Sequence, residues 1–418
     1  MSSPLLISDI ANVSIQKFAN HLFKADLNEQ QIRALPAQTL FLGVKHLGVS
    51  SCADIILAAS AEQCRLMLDF DCWENDEFAE ERFWEWLGIA DEDHGLEVLQ
   101  KLIRCFDLKV VALIISRHVQ TQVFSEKTEN PPGPGFYTPD QGHTWIQVTI
   151  QEGTKHFHLT RLLALIFETN AELFYQILAI PGVATPSMLE EESYSERQKR
   201  LISEGIPEKD LAFQVHAPLS TKACTEEIKL NQKRLIIQDI QNISPLIYDA
   251  HLPPHIDEIF KSRAHTEELE GELSYVLNAA LIRWNVPFHE LEKVKLLASK
   301  VKGAMNIGIE ILERELSLPA LTIFEHLGLQ KLYRLGLTHL AQLHKRALKV
   351  PVSTLQEPSF DPALFALVAG AREAFPEAPL CMNTKGELQA EQGKLQSGTR
   401  AFEHLTEVEA AQNLISSL

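Results

Sequence analysis

The stretch LPAQTLFLGVKHLG, residues 35–48, carries both a start and a stop for one short helix. Pro36 stands where a first helical turn needs no backbone donor, and Gly48 stands where helices commonly end. About 24 residues later ASAEQCRLMLDFD, residues 59–71, opens in the same manner. Ser60 is placed there as an N-cap, because its hydroxyl can accept a free backbone N–H. Short helices that begin at a regular offset predict stacked hairpins, a small solenoid. GLEVLQKLIRCFDLKVVALIISRHV, residues 95–119, supplies further amphipathic helices.

Working outward, the composition breaks at residues 125–135, SEKTENPPGPG, where Pro131 to Gly135 exclude regular structure. Alternation then begins in TWIQVTIQEGTKHFHL, residues 144–159. Ile146, Val148 and Ile150 fall on one side, with Glu152-Gly153 as the turn, which predicts a β-hairpin leaning on a helix. Helical periodicity returns at Thr160. Asn170 is a cap for AELFYQILAI, Ser187 for MLEEESYSERQKRLISEG, and Gly205 is a stop. Two long helices follow, separated near Pro287, and GAMNIG carries Gly303 and Gly308 as small residues that let helices approach closely. Asp361-Pro362 starts a short helix, the stretch from Phe375 reads as loop, and Thr406 with Glu409 forms a capping box for the last helix. The expected class is mainly α. The expected organisation is a helical-repeat domain over 1–125, a Pro/Gly-rich linker and β-hairpin over 126–159, a larger helical domain over 160–350, and an irregular tail with short helices over 351–418.

The chain has 418 residues, 45% of them apolar, with a formal charge of −18. Such a chain packs as a globule, and its surface repels phosphate backbones, which argues against broad nucleic-acid binding. The six cysteines form no C-x-x-C pair, as expected for reduced, mostly buried thiols in a cytoplasmic protein. No basic-then-apolar leader is seen, and no apolar run is long enough for a membrane span.

Between Asp69 and Glu97 there are twelve acids and a single Lys or Arg, Arg82. Asp69, Asp71 and Glu80 fit the first, third and twelfth places of a calcium loop, but Trp73 and Glu74 occupy the places that need an oxygen ligand and a glycine. Asp69, Asp71, Asp76 and Glu80 are therefore candidates for weak Mg²⁺ or Ca²⁺ binding at most. The alternatives are a solvated face or an acidic docking surface. Phe83, Trp86 and Leu87 share one helical face and read as core. His143, His156 and His158 could hold zinc but lack the spacing of a known site. His251 and His255 flank Leu-Pro-Pro, which prevents a helical i,i+4 pair. Phosphate-loop, dinucleotide and nucleophile-elbow motifs are missing. Lys345, Arg346 and Lys349 suit the negative end of a helix dipole or an acidic partner.

The segment over residues 30–120, with its Leu-Pro and Ser-Ala openings, resembles the helical N-domain in the cytosolic part of bacterial magnesium transporters. DFDCW, FWEWL and the stretch LEEESYSERQKRLISEG look like a bacterial family of unknown function, as does AFEHLTEVEAAQNLI near the end. The residues that carry this resemblance include Glu191, Glu192, Tyr194, Arg197, Arg200, Leu201 and Gly205. The family likeness implies no activity; the transporter likeness implies sensing of Mg²⁺. Tyr194, Arg197 and Leu201 share a helix face, and Glu192, Arg197 and Arg200 are placed for a polar network or, with Tyr194, a ligand site. The reading is a non-enzymatic interaction or scaffold protein with a protein partner and no predicted cofactor. Its alternatives are a regulatory sensor of a divalent cation or small anion, and an enzyme of unrecognised type.

Overall fold

The computed structural model describes Ala19 and residues 27–74, 76–91, 95–230, 252–262, 266–357, 359–389 and 396–418. These residues are mainly helical, with three antiparallel two-stranded sheets among them. They fall into two compact units. One holds residues 15–203 with 287–289; the other holds 204–286 and 290–418. Among the described residues no helix is long and apolar enough to cross a membrane.

In the first unit the Ala37–Leu47 helix follows Pro36 and stops at Gly48, whose φ of 90° disfavours a side chain. The Ala61–Asp71 helix packs against it. Ser60 Oγ accepts the Gln63 N–H at 3.0 Å, and Gln63 Oε1 accepts the Ser60 N–H at 2.8 Å, a reciprocal cap. The Gln63 amide then reaches outward to donate to the Leu35 carbonyl at 2.7 Å. One residue thus closes its own helix and fixes the entry to the preceding one. Phe41 and Phe70 stack 5.4 Å apart between the two helices. Trp73–Glu74 pairs with Glu77–Phe78 as a minimal hairpin leading into the Glu80–Gly88 helix, where Phe83, Trp86 and Leu87 are buried.

The hairpin expected over residues 144–159 is differently built. Thr144–Val148 pairs antiparallel with Val119–Val123, which continues from the Leu108–His118 helix. Gly153–Thr169 is a single helix, so His156 and His158 lie on a helix and not on a strand. The alternation at His156 and His158 is local. Leu159, Leu162, Leu163 and Ile166 continue at helical spacing, and burial of that stripe decides. The Pro/Gly-rich stretch is pinned between the strands: Asp140 accepts the Thr144 N–H at 2.8 Å and the Tyr175 hydroxyl at 2.9 Å. Asn170 caps Ala171–Ala179 as expected. The next helix, Pro186–Ser203, starts earlier than Ser187 allows, with Thr185 Oγ1 accepting the Met188 N–H.

In the second unit Thr266–Arg283 and Leu291–Leu316 are separate helices. Leu291–Leu316 packs along Ala320–Ala347, which is interrupted at Gly328, φ 72° and ψ 171°. A Cβ on Gly308 would stand 2.1 Å from the Leu332 carbonyl oxygen, and one on Gly336 would stand 1.8 Å from that of Ala304. The two backbones touch because both positions lack side chains. The chain after residue 351 is more ordered than an irregular tail. Asp361 caps Pro362–Ala371, Glu377–Pro379 pairs with Thr399–Ala401, and Leu405–Ser416 is helical. Buried Phe375, Met382, Phe402 and Val408 hold it in the core. The cap of the last helix lies two residues before Thr406. Glu407 accepts the N–H groups of Glu403 and His404 at 2.8 and 3.1 Å, and Arg400 neutralises it.

Candidate functional site

The acid-rich stretch and the LEEESYSERQKRL stretch come together in the first unit. Arg200 makes a two-pronged bond to Asp69, Nε to Oδ2 at 2.6 Å and Nη2 to Oδ1 at 2.9 Å. One turn earlier, Arg197 donates Nε–H to the Asp69 carbonyl at 2.7 Å and lays its guanidinium over the Trp73 ring, 5.6 Å from the centroid. Tyr194 packs against the same ring and reaches Asp76 with its hydroxyl. Asp69 is 5% exposed and Arg197 5% exposed, so both charges are within the protein. Burial pushes the Asp69 carboxyl above its usual value, against the pull of Arg200, and lowers Arg197 to about 10.

A second centre forms around Asp71, which is fully buried. Its Oδ2 accepts from Lys45 Nζ at 3.0 Å and from Trp86 Nε1 at 2.9 Å. Its Oδ1 faces His289 Nδ1 at 3.7 Å. Burial, followed by the Arg82 charge, holds the His289 imidazole below its ordinary value.

These positions correct the reading of the acid cluster as one solvated face: its two aspartates at 69 and 71 point inward, each against a cation. The four candidate cation ligands also do not meet as a set. Glu80 turns to Arg117, His118 and Trp84, and Asp76 to Tyr194. Glu192 leaves the expected network for Lys109 at 2.8 Å. His158 pairs with Asp91 at 2.7 Å. His251 lies outside the described residues. Among the described residues no group of three or more His, Cys, Asp or Glu is placed to hold a metal ion. A recess of about 20 Å³ beside Asp69, Cys72 and Asp107 has room for about one water.

Three members of these networks carried no usable signal in the sequence. Glu190 accepts the Phe78 N–H at 2.8 Å and pairs with Arg117 at 3.0 Å, yet it stands in a run of three glutamates. His289 meets Asp71 from a segment far along the chain. Lys45 was detectable only as a charge among the apolar residues of its helix.

In the second unit Glu310 accepts from His404 Nδ1 at 2.8 Å and from the Leu405 N–H at 2.6 Å. Burial pulls its carboxyl upward, but these bonds prevail and hold it below the usual range, while the bond to Glu310 raises His404. His255 bonds Glu313 at 3.2 Å. The arrangement anchors the start of the last helix. The same unit has an open cleft of about 500 Å³ at the end of Ala320–Ala347. Arg346 and Lys349 give it positive charge, and Val350, Pro351, Ile415 and Leu418 give it apolar walls. Arg346 and Lys349 are exposed, as are their sequence neighbours Lys345, Leu348 and Val352. Arg346 also bonds Ser416 Oγ at 3.0 Å.

Among curated proteins and among solved structures, none matches this chain. The model of a family of unknown function, DUF6178, matches residues 4–418, and the chain therefore belongs to that family.

Proposed function

We propose that the protein acts without catalysis, as an interaction protein whose second unit takes an acidic segment of a partner protein. The observation that carries this reading is the cleft beside Arg346 and Lys349. A basic, apolar-walled cleft on a chain of charge −18 is where an acidic peptide with an apolar anchor gains both Coulombic attraction and burial. The buried acids support it indirectly. Asp69 and Asp71 are engaged by cations that hold helices together, which leaves them poor candidates for acid–base work. A sensor of divalent cations, which the transporter likeness implies, would have to use exposed acids such as Glu74, Asp76 and Glu77.

The test is fluorescence anisotropy with a labelled peptide alternating glutamates and leucines, against the same peptide with glutamines. The acidic peptide should bind, more weakly as salt rises. The Arg346→Glu, Lys349→Glu double variant should weaken it about tenfold or more. Equal binding of both peptides, or binding indifferent to the double variant, would remove the reading.

A further inference from the structure

Two helices bring their carboxyl ends to the basic cleft. Arg346 and Lys349 lie at the end of Ala320–Ala347, and Ile415 and Leu418 at the end of Leu405–Ser416. Both helices present the negative ends of their dipoles there, while Arg346 and Lys349 supply positive charge. The occupant that satisfies both is the amino end of a helix, whose dipole is positive, with apolar residues at its start and carboxylates one turn on. The first unit carries such a segment on its surface. Val183, just ahead of Pro186–Ser203, is 84% exposed, and Met188 in the first turn is 49% exposed. Thr185, Pro186 and Ser187 between them are exposed too. Glu191 and Glu192 stand at i+3 and i+4 from Met188, so the three share one helix face, and both acids are exposed.

We propose that the cleft of one copy takes residues 183–192 of a second copy, so that the chain associates head to tail. This rests on the reading of the cleft as a site for an acidic segment, and it names the partner. Val183 and Met188 go to the apolar walls at Val350, Pro351 and Ile415, and Glu191 and Glu192 face Arg346 and Lys349. Arg346 exchanges its bond to Ser416 Oγ for a carboxylate, which is the stronger acceptor. Cleft and segment are different surfaces, so the contact is heterologous and each copy offers one of each. The charge of −18 on every copy opposes association at long range. Physiological salt screens that repulsion beyond roughly 8 Å, while the charges in contact still attract.

The test is sedimentation velocity on the full chain in physiological salt, from micromolar to near-millimolar concentration. The sedimentation coefficient of the wild type should rise with concentration and fall back in high salt. A cleft variant, Arg346→Glu with Lys349→Glu, should stay monomeric. So should a segment variant, Val183→Ser with Met188→Ser and Glu191→Gln, which changes exposed positions alone. An equimolar mixture of the two variants should form a one-to-one pair and nothing larger, because one intact segment then meets one intact cleft. That pairing also shows that both variants are folded. A wild type that is monomeric throughout, self-association that neither variant reduces, or a mixture that does not pair overturns the proposal. If the labelled acidic peptide still binds to a monomeric wild type, the second copy is excluded as partner and the reading of the cleft stands; if the peptide does not bind either, both fall.

Discussion

Arg197 donates its Nε–H to the backbone carbonyl of Asp69 at 2.7 Å, across 128 residues of sequence, while Arg200 one turn on takes the Asp69 carboxylate. A single acidic residue is gripped at both its main chain and its side chain by one helix. This fixes how Pro186–Ser203 lies on Ala61–Asp71, since a slip of one residue in either helix would part both bonds. It also buries charge, which is tolerable only while the pair is intact.

Removing Arg200 therefore leaves the Asp69 carboxylate inside the protein without its cation. Arg200→Leu should destabilise the first unit by about 3–5 kcal/mol, and Asp69→Leu by a comparable amount. The Asp69→Leu, Arg200→Leu double variant should be less damaged than the sum of the two, because no lone charge is left. Urea unfolding followed by tryptophan fluorescence measures all three. Strict additivity would show that the pair does not couple.

Divalent cations should not stabilise this region. Asp69 and Asp71 already face Arg200 and Lys45, and the adjoining recess has no space for a cation with its waters. Millimolar Mg²⁺ or Ca²⁺ is expected to leave the thermal unfolding midpoint unchanged. A rise that disappears in Asp69→Asn would mean that a cation displaces the guanidinium.

How much of this was readable from sequence depends on whether the cause was local. Helix punctuation is local chemistry, so Pro36, Gly48, Ser60, Asn170 and Asp361 act as their residue types predict. Strand pairing is not. Thr144–Val148 was visible as a strand, but its partner Val119–Val123 looked like the end of a helical stretch. The candidate site divides in the same way. Arg197, Arg200 and Tyr194 stood out together, and so did the acids, but nothing in either stretch says that they meet. The end of the chain reads as loop because glycine, proline and polar residues there conceal a few large apolar ones, Phe375, Met382 and Phe402, that are buried.

The Gly308–Gly336 contact gives a sharp steric prediction. Gly336→Ala places a methyl group 1.8 Å from the Ala304 carbonyl oxygen, a main-chain atom that cannot rotate aside. The helices must separate along their length, at a cost of about 3 kcal/mol. Helix propensity alone would favour alanine by about 1 kcal/mol, so the two effects have opposite sign. Differential scanning calorimetry should show a lowered midpoint; an unchanged or raised one would mean that the backbones are not in contact.

Acid sensitivity of the second unit should have an identifiable source in His216. Its Nδ1–H donates to the Ala212 carbonyl at 2.6 Å, and its ring lies against Tyr333 and Trp284. Burial, with the Arg283 charge as a lesser opponent of protonation, lowers its pKa from 6.5 to about 4. The unfolded chain then binds a proton between these values and the folded chain does not. Stability is greatest above pH 6.5 and falls as the pH drops toward 4. The full loss from this residue is about 3 kcal/mol at 1.36 kcal/mol per pKa unit. His216→Phe keeps a ring in place and removes the proton site. Denaturant unfolding at pH 7, 5.5 and 4.5 should show a shallower decline for the variant than for the wild type. Parallel declines would mean that His216 is protonated equally in both states and that the acid response comes from other groups.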